Sequence, residues 1–165
     1  MRFAGAAWTI GFSPAVLEFL QARRTPSAKA FERAGQLFTG DLTSNAIVID
    51  AATDLQPVSA SARSFRLDIG EAERQRVLML QQSRHFVGTW HTHFQSRPLA
   101  SCVDVEFCRN HALAASSFLR GCLLVIVGTA DFPEGLLLGA HDGKIWREAS
   151  VAAQVAARAS AELST

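Results

Sequence analysis

Two histidines two residues apart, followed by a serine and an aspartate, constrain this chain more than any other feature. They lie in the segment GTWHTHFQSRPLASCVD, which ends at Asp104. The residues up to His93 predict a strand, in which side chains two residues apart lie on the same face. His91 and His93 therefore present two imidazoles side by side. Ser101 is predicted to begin a helix, which brings Asp104 within reach of the end of that strand.

Two imidazoles and one carboxylate are typical of a catalytic zinc site, in which three protein ligands leave the fourth position open to water. Asp104 lies in the first turn of the predicted helix, where the helix N-terminus favours a negative charge. We therefore expect one Zn²⁺ per chain, bound by His91, His93 and Asp104. Each half of the pattern has a simpler explanation when taken alone. An alternating histidine pair is often packed or solvated without a metal, and Ser101 with Asp104 fits a helix cap.

The rest of the sequence predicts one mixed α/β domain with a central sheet flanked by helices. Residues 35–40 and 46–51 are expected to pair as a hairpin, and Asp142-Gly143 predicts the turn of another. The apolar run 122–129 suits a central strand. Further strands are predicted at 8–12, 64–67, 86–93, 136–141 and 144–148, and helices at 14–24, 68–84, 101–121 and 151–163.

Several single side chains also carry expectations. Trp90 points away from the histidine pair and is predicted to lie in the core. His85 and His141 stand near the ends of predicted elements, where we expect them to be solvated. His111 is expected to be a core or surface residue and not a ligand. An apolar stripe on the helix after Ser101 is typical of a helix packed on a core, and consists of Val103, Phe107, Ala114 and Phe118.

Composition limits the classes of partner and compartment. A chain of 165 residues suits a single domain over residues 1–165, with its core at about 9–148. The formal net charge is +1 without a run of basic residues, so no nucleic-acid partner is expected. No stretch approaches the roughly 18 apolar residues that span a bilayer, so no membrane partner is expected. Three cysteines make no disulfide framework, and a reducing cytoplasm is the expected compartment.

The spacing of the four site residues resembles the signature of the JAMM (JAB/MPN) metalloprotease family. That signature is His-x-His, seven residues, then Ser-x-x-Asp, and this chain matches it from His91 to Asp104. The family also has an upstream glutamate beside a glycine-rich strand, which the segment ERAGQLFTG from Glu32 resembles. Two departures are visible. Phe94 stands where many members have proline, and Ala34 where many have glycine.

The resemblance implies a cytidine-deaminase-like MPN/JAB fold and a role for each site residue. Glu32 would be the general base, and Ser101 would donate a hydrogen bond to the oxyanion of the tetrahedral intermediate. The segments around these residues look like the compact bacterial branch, whose members often accompany ubiquitin-like conjugation enzymes, including those of antiphage systems. The expected partners are thus a ubiquitin-like protein or its conjugates, with associated activating or conjugating enzymes.

Within that resemblance, the first expectation is a zinc-dependent isopeptidase that hydrolyses the bond after the C-terminal glycine of a ubiquitin-like modifier. One alternative is a peptidase that matures a ubiquitin-like or sulfur-carrier precursor. Others are a metal-free MPN scaffold that only binds partners and a nucleic-acid-linked role like that of RadC-like relatives, which the balanced charge disfavours. A zinc deaminase is disfavoured because the chain lacks His-x-Glu with Pro-Cys-x-x-Cys.

Overall fold

The computed structural model describes residues 1–3, 8–24, 32–61 and 64–150. The predicted C-terminal helix at 151–163 lies outside the described residues. Within them, no helix combines the length and apolar character needed to cross a membrane. The strands are β1 Arg2–Phe3, β2 Thr9–Phe12, β3 Ala34–Thr39, β4 Ala46–Ile49, β5 Ala51–Leu55, β6 Pro57–Ser61, β7 Ser64–Leu67, β8 His85–Thr92, β9 Cys122–Val127, β10 Leu136–His141 and β11 Trp146–Ser150. The helices are α1 Pro14–Gln21, α2 Ile69–Gln81 and α3 Cys102–Ala114.

Nine strands form one mixed sheet in the order β4-β2-β1-β11-β10-β9-β8-β3-β5, and β6 pairs with β7 as a separate hairpin. The pairs β8–β9 and β2–β4 are parallel, and the others in the sheet are antiparallel. The parallel pair β8–β9 is made possible by α3, which connects the end of β8 to the start of β9. The predicted mixed α/β class with a central sheet is confirmed.

The core lies on both faces of the central strand β9, whose six residues are all buried. Leu123, Val125 and Val127 belong to the cluster that includes α1. Leu124 and Ile126 belong to a second cluster, which includes the inner residues of α3. Because side chains alternate between faces along a strand, one apolar run supplies both cores, as expected for a strand covered on both sides.

Helix α2 is held on the sheet by polar side chains. Gln36 of β3 is fully buried and donates to the carbonyl oxygen of Ala72 at 3.1 Å and to Oε1 of Gln75 at 3.3 Å. Nε of Arg76 donates to Gln36 Oε1 at 2.5 Å. The buried amide therefore has partners for both its nitrogen and its oxygen, as a buried polar group requires.

The predicted hairpin between residues 35–40 and 46–51 is wrong. The apolar run divides at Asp50, so that β4 pairs with β2 in parallel while β5 is the antiparallel neighbour of β3. Asp50 accounts for the division, because its carboxylate accepts from Arg84 at 2.9 Å and from the Gly40 backbone at 3.2 Å. A side chain that holds two other segments in this way changes the direction of the chain between two strands.

The predicted apolar stripe on α3 is also wrong. Val103 is 70% exposed, and Phe118 lies beyond the end of the helix with 85% exposure. The residues that face the sheet are Cys108 and Ala112, both almost fully buried. These side chains are small, so the helix packs closely on β9 without a large apolar residue between them. His141, predicted to be solvated, is buried, and its Nδ1 accepts from the Gly143 backbone at 2.9 Å.

Gly35 lies where β3 approaches the backbone of β5 and the side chain of Trp90 closely. A Cβ atom there would lie 1.7 Å from the carbonyl oxygen of Thr53 and 2.6 Å from Nε1 of Trp90. Trp90 Nε1 donates to that same carbonyl at 2.9 Å, so a methyl group would displace a buried hydrogen bond. Ala34, the residue before Gly35, is buried, so the structure accommodates a methyl group at that neighbouring position.

We expect Gly35→Ala to lower the free energy of unfolding by about 3 kcal/mol, measured by denaturant unfolding, because backbone must move to admit the methyl group. Gly11→Ala is the matched control in a strand, since its nearest atom would be 3.8 Å away. It should change stability by less than about 1 kcal/mol. Equal effects of the two substitutions would contradict the close approach at Gly35.

Candidate metal centre

The two histidines lie at the end of β8, between β3 and β9. His91 pairs with Ala34 on one side and with Ile126 on the other. His93 follows the strand, and its backbone N–H donates to the Val127 carbonyl at 2.8 Å. The histidine segment is therefore fixed by backbone hydrogen bonds from both neighbours. The Nε2 atoms of His91 and His93 are 3.0 Å apart, and both side chains are partly buried.

The carboxylate of Asp104 comes from the first turn of α3. Ser101 is the N-cap, and its hydroxyl accepts from the Asp104 backbone at 3.2 Å. In return, Asp104 Oδ2 accepts from the Ser101 hydroxyl at 2.6 Å and from the Ser101 backbone at 2.8 Å. The helix-cap interpretation is thus confirmed. It does not exclude a ligand role, because Asp104 Oδ1 lies 3.2 Å from His91 Nε2.

The three side chains fit a metal ion by their separations. Ligand atoms at about 2.0 Å from a tetrahedral zinc lie roughly 3.3 Å from one another. The observed separations are 3.0 Å between His91 and His93 and 3.2 Å between His91 and Asp104. One ligand atom from each of the three residues lies within 4.8 Å of the others. This group, the one such set among the described residues, is close enough to bind a metal ion.

The electrostatics of Asp104 suit a ligand. Burial raises the pKa of its carboxyl group, but hydrogen bonds from His91 and Ser101, with the charge of His91, lower that pKa by more. The net result is a pKa well below the ordinary value for aspartate. The carboxylate is therefore ionised at neutral pH, which is the form that binds a metal.

Glu32 lies two residues before β3, the strand that pairs with β8. One residue beyond the Ala34–His91 pair, the Thr92 N–H donates to the Arg33 carbonyl at 2.9 Å. Glu32 directly precedes Arg33, and His93 directly follows Thr92. Glu32 is partly buried at this position.

The loop that follows the histidines is held in place despite Phe94, the residue that stands where many JAMM proteins have proline. The backbone N–H of Thr129 donates to the Gln95 carbonyl at 2.9 Å, and that of Ala130 donates to the Ser96 carbonyl at 3.2 Å. A Cβ on Gly128 would lie 2.5 Å from the Gln95 oxygen, so glycine is needed for this contact. The loop that follows the histidines is thus held against residues 128–130.

The other histidines and the cysteines do not join the centre. His111 packs on Phe107, with 4.2 Å between ring centroids, and its Nδ1 lies 3.0 Å from the Phe107 carbonyl. Cys108 and Cys122 are buried together on the side of the sheet that packs against α3, where the Cys108 thiol lies 3.2 Å from the Cys122 carbonyl. Trp90 is fully buried, as predicted.

No role was predicted for Thr92, the residue between the two histidines. Its side chain is fully buried, and its hydroxyl accepts from the Arg33 backbone at 2.9 Å. The available signal was a hydroxyl-bearing side chain between the two histidines. The donor, however, lies 59 residues away along the chain, so the sequence alone could not identify it.

Comparison with known proteins bears on the fold alone. The sequence matches no protein-family model and no curated protein. Protein DSY2949 from Desulfitobacterium hafniense, whose structure was determined in solution, is similar with a TM-score of 0.63. The similarity covers 86% of this chain and 90% of that chain, at 16% sequence identity. At that level of identity the two chains share a fold, and nothing about function follows.

We expect the purified protein to contain about one zinc per chain, measured by elemental analysis, because three ligands converge. His91→Ala and Asp104→Ala should each remove most of it. Ser101→Ala should weaken zinc binding about 10–100-fold, because the carboxylate loses the contacts that orient it. His85→Ala, a histidine outside the group, is the control and should retain zinc. Full occupancy in a chain lacking both imidazoles, His91→Ala with His93→Ala, would exclude this site.

Proposed function

We propose that the chain is a zinc-dependent isopeptidase of the JAMM type, acting after the C-terminal glycine of a ubiquitin-like modifier. The observation that carries the proposal is the convergence of His91, His93 and Asp104, which the sequence spaces as the JAMM signature does. Two imidazoles and one carboxylate leave a coordination position for water, which distinguishes a catalytic set from a closed structural one. A scaffold that only binds partners would not need this set.

Each residue then has a part in the reaction. His91, His93 and Asp104 would hold the ion at the end of β8. When bound, zinc would make water a nucleophile at neutral pH. Glu32 would take up the proton released as water attacks the carbonyl carbon and would give it to the amine that leaves. This assignment is supported by the hydrogen bond from the Thr92 N–H to the Arg33 carbonyl, which joins the residue after Glu32 to the residue between the two histidines.

The Ser101 hydroxyl has two proposed hydrogen-bond acceptors, the Asp104 carboxylate and the oxyanion. Its single hydroxyl proton is donated to Asp104 in this structure, at 2.6 Å. One hydroxyl cannot donate at the same time to a carboxylate and to an oxyanion. In the resting enzyme Ser101 therefore orients the ligand, and donation to the oxyanion requires its hydroxyl to rotate away from Asp104.

The surroundings favour a protein substrate with a slender tail. The side chains of Leu99 and Val103 are exposed on either side of Ser101 along the chain. The loop after the histidines is held by backbone hydrogen bonds from Thr129 and Ala130. Glycine at the cleaved bond suits this arrangement, because it has no side chain and allows close approach of the backbone.

Glu32→Gln should retain zinc and lose turnover by about 10²–10⁴-fold, because an amide of similar shape cannot accept a proton. Zinc content and the steady-state rate are to be measured on the same preparation. Glu106→Gln is the matched control: Glu106 is an exposed residue of α3 and loses the same charge. Near-normal turnover in Glu32→Gln would assign the base to another residue.

The purified enzyme should cleave a ubiquitin-like modifier joined through its final glycine to a lysine side chain, as followed by gel and mass spectrometry. A zinc chelator should block cleavage, and replacing the glycine with a bulky residue should stop it. A linear fusion of the same modifier to a reporter separates the two peptidase activities: preference for the linear fusion would favour precursor processing. If bulky residues are cut as readily as glycine, or chelation has no effect, the proposal is wrong.

A further inference from the structure

At the end of the pairing between β3 and β8, a side-chain hydrogen bond takes the place of one of two backbone hydrogen bonds. In a regular antiparallel pair of this kind, each of two opposite residues donates its N–H to the carbonyl of the other. Thr92 and Arg33 form half of such a pair, since the Thr92 N–H donates to the Arg33 carbonyl at 2.9 Å. The Arg33 N–H, however, donates to the Thr92 hydroxyl at 2.9 Å.

This contact fixes the chain immediately after Glu32. Thr92 is fully buried and stands between the two histidines, so its own position is set by the backbone bonds of β8. The side chain of Arg33 also reaches Asp54, at 3.4 Å, but it is 47% exposed. An exposed ion pair of this length holds a chain weakly. The buried hydroxyl and the backbone bond from Thr92 to the Arg33 carbonyl are therefore the stronger constraints on this segment.

We propose that the Thr92 hydroxyl is a positioning residue for Glu32. By holding the Arg33 N–H, it fixes the backbone of the residue that directly follows Glu32 and so orients Glu32 relative to the histidine pair. The inference rests on the proposed function, in which Glu32 accepts the proton. It also explains why a polar residue occupies a fully buried place in this strand.

Two substitutions separate the hydroxyl from the shape of the side chain. Thr92→Val keeps the branched shape and removes the acceptor, whereas Thr92→Ser keeps the acceptor and removes a methyl group. Thr53→Val is the matched control in β5, because the buried hydroxyl of Thr53 has no hydrogen-bond partner among the described residues. Removing the Thr53 hydroxyl should leave both the segment at Glu32 and Arg33 and the zinc site unchanged.

The first measurement is amide hydrogen exchange at Arg33 in the full chain, which does not depend on activity. Thr92→Val should raise the exchange rate about 10-fold, as the loss of one hydrogen bond allows. Thr92→Ser and Thr53→Val should exchange like the wild type. An unchanged rate in Thr92→Val, in a chain that is folded by circular dichroism, would overturn the inference whatever the activity.

The second measurement is steady-state kinetics beside zinc analysis. Thr92→Val should lower kcat about 10–100-fold with little change in KM and unchanged zinc content, because a displaced base affects the chemical step. Thr92→Ser should restore most of kcat. Faster Arg33 exchange with a normal kcat, or a loss of zinc, would overturn the positioning role. If Glu32→Gln retains turnover, the assignment of the base fails instead, and the exchange result still reports on the contact itself.

Discussion

The candidate centre depends on the hydrogen bonds that hold β8 between β3 and β9. His91 is paired on both sides, and the backbone bond from His93 to Val127 extends that support beyond the strand. Pairing on both sides fixes the backbone of β8, and in this arrangement the Nε2 atoms of the two imidazoles lie 3.0 Å apart. A metal ion would bind to ligands that are already in place, which limits the entropic cost of binding.

The helix cap at Ser101 provides the same support for the third ligand. The pair of contacts between Ser101 and Asp104 fixes both the start of α3 and the direction of the carboxylate. One oxygen of Asp104 serves the cap, and the other lies beside His91. A local motif that stabilises a helix thus also positions a ligand. The helix-cap interpretation and the metal-ligand interpretation of Ser101 and Asp104 therefore rest on the same contact.

Local signals in the sequence predicted local structure well. Ser13 and Ser101 cap their helices, and Gly143 occupies the positive-φ position of the hairpin turn, at φ 89°. Contacts between distant segments could not be predicted in this way. The partner of β3 was predicted wrongly, because the side chain of Asp50 divides what looks like one apolar run. The three residues of the metal group were predicted, since spacing within one strand and the next helix defines them.

A shift in the pairing of β8 with β3 changes which faces the residues at the start of β8 occupy. The shift lies between Leu37 and Phe38, and leaves Val87 as an extra residue on β8. In a regular strand Val87 would lie on the face of His91, but it packs with Trp90 in the cluster that includes α1. Phe86 packs instead in the cluster that includes α3. A bulge of this kind exchanges the faces of the residues on either side of it.

The bulge occurs beside Gly88, where a Cβ atom would lie 2.1 Å from the Leu123 carbonyl. Glycine therefore allows β8 to approach β9 at the point where its pleat is interrupted. Beyond that point the alternation is regular, so Trp90 enters the core while His91 faces Asp104 on α3. The alternation read from the sequence holds only for this second half of the strand. That half leads into both histidines, so the face on which they lie could be predicted from the sequence. The faces of the residues at the start of β8 could not be predicted in this way.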